Sequence, residues 1–167
     1  QPWCVGLESG DATGWPGTDW VEDYVLRLHG PEVYDEWVTH GIPFNDPQVA
    51  EAFDAVGEYL KSDEMVNAGI GDVSTQVTEA FQTAGLPILD GECSLHHQAS
   101  FYETFWNPEG GDAVKVASDG DVFGFLLNKL GRHFLDLRVF RCLCDAAEEG
   151  QRPLFAGQRQ LQRVPGS

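Results

Sequence analysis

The residues best suited to chemistry in this chain lie together in one stretch, ESGDATGWPGTDW, from Glu8 to Trp20. Trp15 offers a flat apolar face, and Asp11, Thr13 and Asp19 offer hydrogen-bonding groups close to it in sequence. Gly10, Gly14 and Gly17 allow sharp backbone turns, and Pro16 fixes its own φ. A pyranose ring asks for this mixture, stacking its C–H face on an aromatic ring while its hydroxyls donate to carboxylates. The same residues read equally as a structural loop with buried tryptophans. Glu8 with Asp11 or Asp19 supplies the carboxylate pair of a glycosidase, so a glycoside-processing enzyme stands as the alternative. In so acidic a chain such pairs also arise by chance. His96-His97 lacks the spacing and the third ligand of a metal site, since adjacent side chains point apart. Asp119-Gly-Asp121 is half of a calcium loop without its remaining ligands, and reads as a turn. No GxSxG, Walker A or GxGxxG motif occurs, and no cofactor or metal is expected.

The elements that must position these residues follow from periodicity and punctuation. Pro2 to Leu7 reads as a short strand. Asp19 with Glu22 three residues on predicts a capping box for a helix burying Trp20, Val21, Tyr24, Val25 and Leu28. Gly30 should end that helix, and Pro31 should open another carrying Val33, Tyr34, Trp37 and Val38. Asp46-Pro47 predicts the start of a helix with Val49, Ala52, Phe53, Val56, Tyr59 and Leu60 on one face. A helix capped by Ser74 or Thr75 is expected to reach Gly85. Then come a short strand at Leu86–Leu89, a helix from Gln98 to Phe105, and an apolar strand at Asp121–Leu127. Such isolated strands among helices imply an α/β fold with non-local sheet pairing.

The 167 residues carry a net charge of −17, unevenly spread. Residues 1–126 hold 23 acids against three bases, whereas 127–167 hold four acids against seven bases. The acidic part argues against nucleic-acid binding, because phosphates would be repelled. The tail, ending GQRQLQRVPGS, has no apolar period. It is expected to be a non-native or disordered segment with few contacts to the acidic body. No run of residues is apolar enough to span a membrane. The chain opens in front of a strand-like segment with no signal peptide, and so reads as cut from a longer parent. Cys4 and Cys93 each border a strand-like segment, and a disulfide between them suits an oxidising compartment, although spacing alone leaves the pairing open. Cys142-Leu-Cys144 has the wrong spacing for a zinc site.

Three segments, PWCVGLESGDATGWPGTDWVEDYVLRLHGPEVYDEWV, IPFNDPQVAEAFDAVGEYL and CSLHHQASFYETFW, together resemble the extracellular solute-binding proteins of carbohydrate ABC transporters. The likeness is to the α-glucoside-type group of the maltose-binding-protein superfamily, and it covers about residues 1–127. It implies a partial lobe of a two-lobed periplasmic-binding-protein-like (type II) fold, helix-rich with few strands, and residues 128–167 fall outside it. It implies a non-catalytic, sugar-capturing component of an importer, with α-glucosides or other oligosaccharides as ligands and permease subunits as partners of the full-length parent. The parent would be extracellular or periplasmic, with a lipoprotein anchor compatible with that location. The matching segments imply that Thr13, Gly14, Trp15, Asp19, His97 and Gln98 lie near the cleft. An extracellular setting also favours the Cys4–Cys93 bond.

Overall fold

The computed structural model describes residues 1–69, 71–107, 113–126 and 137–142, with 125–126 and 137–142 as backbone. The chain is helix-rich with few and short strands. Strand β1 (Trp3–Cys4) leads through a 3-10 turn at Gly10–Ala12 into helix α1 (Trp15–Val38), followed by helix α2 (Pro47–Leu60) and strand β2 (Val66–Asn67). A 3-10 turn at Val73–Val77, the short helix α3 (Phe81–Ala84) and another 3-10 turn at Leu86–Ile88 precede strand β3 (His96–Ala99). A 3-10 segment, Ser100–Phe105, then strands β4 (Val122–Leu126) and β5 (Leu137–Cys142), complete the described elements.

β1 and β2 pair in parallel, Trp3 opposite Val66 and Cys4 opposite Asn67, with α1 and α2 forming the connection. Leu95 bridges Trp3 from the other side. The second sheet is antiparallel in the order β3–β5–β4. Its central strand comes from the tail, of which few contacts with the acidic body were expected; His97 pairs with Val139, and Val122 with Cys142. The rest of 127–167, Cys144 included, lies outside the described residues.

Helix α1 begins one turn before the expected cap. Its N-cap is Gly14 at φ 103°, with Pro16 in the first turn, so Asp19 lies inside the helix and forms no capping box. The reason is local: only glycine adopts that φ without strain, and proline's fixed φ and missing N–H suit a first turn. Gly30 breaks α1 (φ 84°, ψ 175°) ahead of Pro31, as the Gly-Pro pair predicted. Asp46 caps α2 as predicted, accepting the Gln48 N–H at 2.9 Å.

Three expectations are corrected further along. Asp72, not Ser74 or Thr75, caps the segment after β2, accepting from the Ser74 N–H at 2.8 Å. That segment does not continue as one helix, because Ala80 turns extended to pair with Glu8. The Glu8 N–H donates to the Glu79 carbonyl at 2.9 Å, and the Phe81 N–H to the Glu8 carbonyl at 3.1 Å. Leu86–Leu89 is not a strand but a 3-10 turn, with Pro87 near its start where an N–H is dispensable. The helix expected at Gln98–Phe105 is instead the end of β3 followed by a 3-10 turn.

Three apolar clusters hold these pieces. Trp20, Val21, Val25, Ala52 and Val56 join the first limb of α1 to α2. Val5, Val66 and Ala68 pack around the β1–β2 pair, and Trp3 packs against both groups. The third cluster gathers Cys4, Phe81, Ile88, Cys93, Tyr102, Trp106 and Val122. Cys4 and Cys93 are bonded within it, their Cα atoms 5.7 Å apart, so the bond ties β1 to the approach of β3.

Candidate functional site

The glycine-threonine loop is built by its own side chains. The Thr13 hydroxyl donates to the Gly10 carbonyl at 2.7 Å and accepts the Ser9 N–H at 3.0 Å. Glu8 accepts the Gly10 N–H at 2.5 Å. The Gly14 N–H donates to the Leu7 carbonyl at 2.8 Å, which fixes the mouth of α1 beside β1. A carboxylate and a hydroxyl that were candidates for ligand contact thus close the loop.

Trp15, in the first turn of α1, is half-buried. Its ring meets Phe81 edge-on at 5.0 Å and Phe101 at 5.8 Å with a 47° tilt. Phe101 is 44% exposed, so the two rings form an aromatic surface that solvent reaches. Asp19 follows Trp15 by four residues, one helical turn on and on the same face. Its carboxyl makes no hydrogen bond or ion pair with any other described residue, and burial, with the nearby Glu22 adding to it, pushes its pKa up to about 6. A half-buried carboxylate beside an aromatic face lacks donors, and a polyol supplies them.

The structure places His97 and Gln98 deeper, both buried on β3. The His97 ring lies 4.3 Å from that of Trp20, and its Nε2 is 3.7 Å from Asp23 Oδ2. Gln98 accepts the Ala99 N–H at 3.1 Å, and its Nε2 has no partner among the described residues. Asp23 is buried and receives the Arg27 Nε–H at 2.7 Å. Burial would raise its pKa, but His97 and Arg27 outweigh that and hold the carboxyl below the usual range.

The two segments singled out in the sequence are therefore neighbours. Trp15 meets Phe101, and Asp23 meets His97, along the line where α1 packs on β3. Asp23 and Phe101 were not among the expected site residues. The Asp23–Arg27 spacing of four was a legible ion-pair signal, and Phe101 lay inside the CSLHHQASFYETFW segment. Among the described residues no three His, Cys, Asp or Glu side chains gather as a metal site requires. Asp119 and Asp121 serve a turn, Asp121 accepting the Lys115 N–H at 2.8 Å and Asp119 pairing with the Lys115 ammonium at 3.0 Å.

The chain is similar to two curated proteins. It is 47% identical over 105 residues, 62% of this chain and 24% of the relative, to the osmoprotective compounds-binding protein GgtB of Synechocystis sp.. It is 45% identical over 124 residues, 74% of this chain and 26% of the relative, to the alpha-glucosides-binding periplasmic protein AglE of Rhizobium meliloti. The chain spans about a quarter of the length of these curated relatives. No family model matches, and no solved structure matches. Both relatives are named as binding proteins and not as enzymes. The resemblance drawn from the motifs is thus matched by the relatives: over the aligned residues, this chain is a segment similar to the solute-binding proteins of sugar ABC transporters.

Proposed function

We propose that this chain is part of the solute-capturing component of a carbohydrate ABC importer, and that Trp15 and Asp19 contact the sugar. The observation that carries the reading is the pairing of a half-buried Trp15 face with the Asp19 carboxyl one turn away, which no described donor satisfies. An α-glucoside is the ligand we favour, on the strength of the name of AglE. Thr13 and Gly14 shape the rim of the site, and His97 and Gln98 lie beneath it. The complete protein would close a second lobe over the sugar and deliver it to permease subunits from an extracellular or periplasmic position. No described helix is long and apolar enough to cross a membrane. Residues 1–127 form the lobe piece in this reading, and 128–167 the atypical tail. The nucleotide sequence around codon 127 tests that division, since a frame that resumes the solute-binding pattern would explain the change of composition.

Titration calorimetry on the full-length parent with maltose and trehalose tests the binding reading. Trp15→Ala should weaken binding by about 1–3 kcal/mol, the scale of one stacked aromatic and the area it covers. Trp37→Ala should leave affinity intact and lower the melting temperature, because Trp37 packs against the α1–α2 cluster. The bound sugar should be recovered unhydrolysed. Unchanged affinity in Trp15→Ala, or release of glucose, refutes the reading.

A further inference from the structure

We propose that Asp23 is a positioning residue: it holds His97 as the Nε2–H tautomer and so pins β3, with the Phe101 turn that follows it, against the Trp15 end of α1. Only the consequence for ligand binding rests on the function proposed above.

The geometry begins with burial. The Asp23 side chain is 2% exposed, while Arg27, which binds it through Nε at 2.7 Å, is 30% exposed. An ordinary i,i+4 pair on a helix lies at the surface and stabilises little. Here the acid points inward and only its guanidinium partner reaches solvent. A buried carboxylate is costly unless its oxygens are answered by donors or positive charge. Arg27 meets it from the helix side, and the same Oδ2 lies 3.7 Å from His97 Nε2.

That distance exceeds a direct hydrogen bond, so the effect is one of orientation. A neutral imidazole carries one N–H and one lone pair. With the lone pair on Nε2, negative density would face the carboxylate across a dry contact. With the proton there, the contact is attractive. The ring cannot evade the choice by turning to water, since the His97 side chain is 1% exposed and packs against Trp20 at 4.3 Å. His96, the neighbouring imidazole on β3, is engaged elsewhere, its Nδ1 at 2.9 Å from the Cys4 carbonyl oxygen. Trp20, Asp23 and Arg27 follow each other at helical spacing, so one stripe of α1 supplies the ring, the charge and its counter-ion.

The pin has a mechanical consequence. β3 runs through Ala99 directly into the 3-10 turn that carries Phe101, and Phe101 meets Trp15 at 5.8 Å. Trp15 and Asp23 sit on one rigid helical limb. Fixing His97 to that limb therefore fixes the register of the two aromatic rings.

Ring-nitrogen NMR of the 15N-histidine-labelled chain tests the proposal. In the parent, neutral His97 should show a pyrrole-type Nε2 and a pyridine-type Nδ1. Asp23→Asn should lose that single-tautomer signature and weaken the Trp15–Phe101 ring NOEs, whereas Arg27→Gln should keep the tautomer. A parent His97 in the Nδ1–H form overturns the proposal, and needs no variant to fold. So does a folded Asp23→Asn protein with unchanged tautomer and unchanged NOEs. No sugar enters these measurements, so their outcome stands apart from the calorimetric test of binding.

Discussion

Acidification should strike this fold first through His96. The residue opens β3, is 2% exposed, and lies with its ring 4.4 Å from that of Tyr102. Burial pushes its pKa down from 6.5 to about 4; the Cys4 carbonyl opposes that fall, and His97 adds to it. Below 6.5 the unfolded chain takes up a proton that the folded chain refuses until about 4. The unfolded state binds more protons in that window, so stability falls as pH falls through it. The gap corresponds to about 3 kcal/mol, at 1.36 kcal/mol for each tenfold change in proton affinity. Asp19 has the opposite sign: its pKa is raised to about 6, so folding gains stability as pH falls from there towards 3.8. Asp23, held low, contributes stability above 3.8 and loses it only at greater acidity. The assay must therefore be a difference. Urea unfolding of the parent and of His96→Gln, from neutral pH to about pH 4, cancels the carboxylates common to both. The parent should lose about 3 kcal/mol more than the variant. Parallel stability curves would refute the argument, and would mean that the folded state takes up the His96 proton as readily as the unfolded one.

Two further outcomes follow from packing and cross-linking. Gly85→Ala should cost about 1–3 kcal/mol in thermal or urea melts, the range for overpacking a core. A Cβ there would lie 2.8 Å from the Tyr102 hydroxyl and 2.9 Å from His96 Cδ2, and that hydroxyl also accepts the Gly85 N–H at 2.9 Å; a neutral result would show that the turn relaxes freely. Replacing Cys4 and Cys93 together by serine should lower stability by about 4.6 kcal/mol, the loop-closure effect for a separation of 89 residues. Thiol counting on the unreduced, denatured chain should find both sulfurs unreactive, and reactive thiols at these positions would deny the bond.

The parts of the fold legible in the sequence were those decided locally. Asp46-Pro47 and Gly30-Pro31 act within a turn of themselves, and both did what their chemistry predicts. The apolar run after Asp121 became β4. The misread elements were decided by distant partners. Ala80 is extended because Glu8 pairs with it across the fold, and His96–Ala99 is a strand because β5 lies beside it. Neither fact is encoded in a period of 3.6 or 2. The start of α1 was misplaced for a different reason: an Asp–Glu pair outweighed the glycine and proline just upstream, though φ above zero at Gly14 settles the matter. In the candidate site, residue types pointed to Trp15 and Asp19. The depth of His97 and the involvement of Asp23 depended on how α1 lies on β3, which spacing does not carry.

Strand β1 gives this fold a kinetic character. It is only two residues long, yet its backbone is held from both sides, Trp3 N–H on the Met65 carbonyl at 3.0 Å and Cys4 N–H on the Leu95 carbonyl at 2.8 Å. Each of those closures spans some sixty or ninety residues, and the entropy of closing such loops must be met before the contact returns anything. The α1–α2 pair, joined by a short connection, has no such delay. High contact order of this kind slows folding by comparison with helical hairpins. The earliest stretch of the described chain is thus expected to be among the last to find its place, bringing its Trp3 ring only then against Trp20, which it meets edge-on at 4.9 Å in the finished fold.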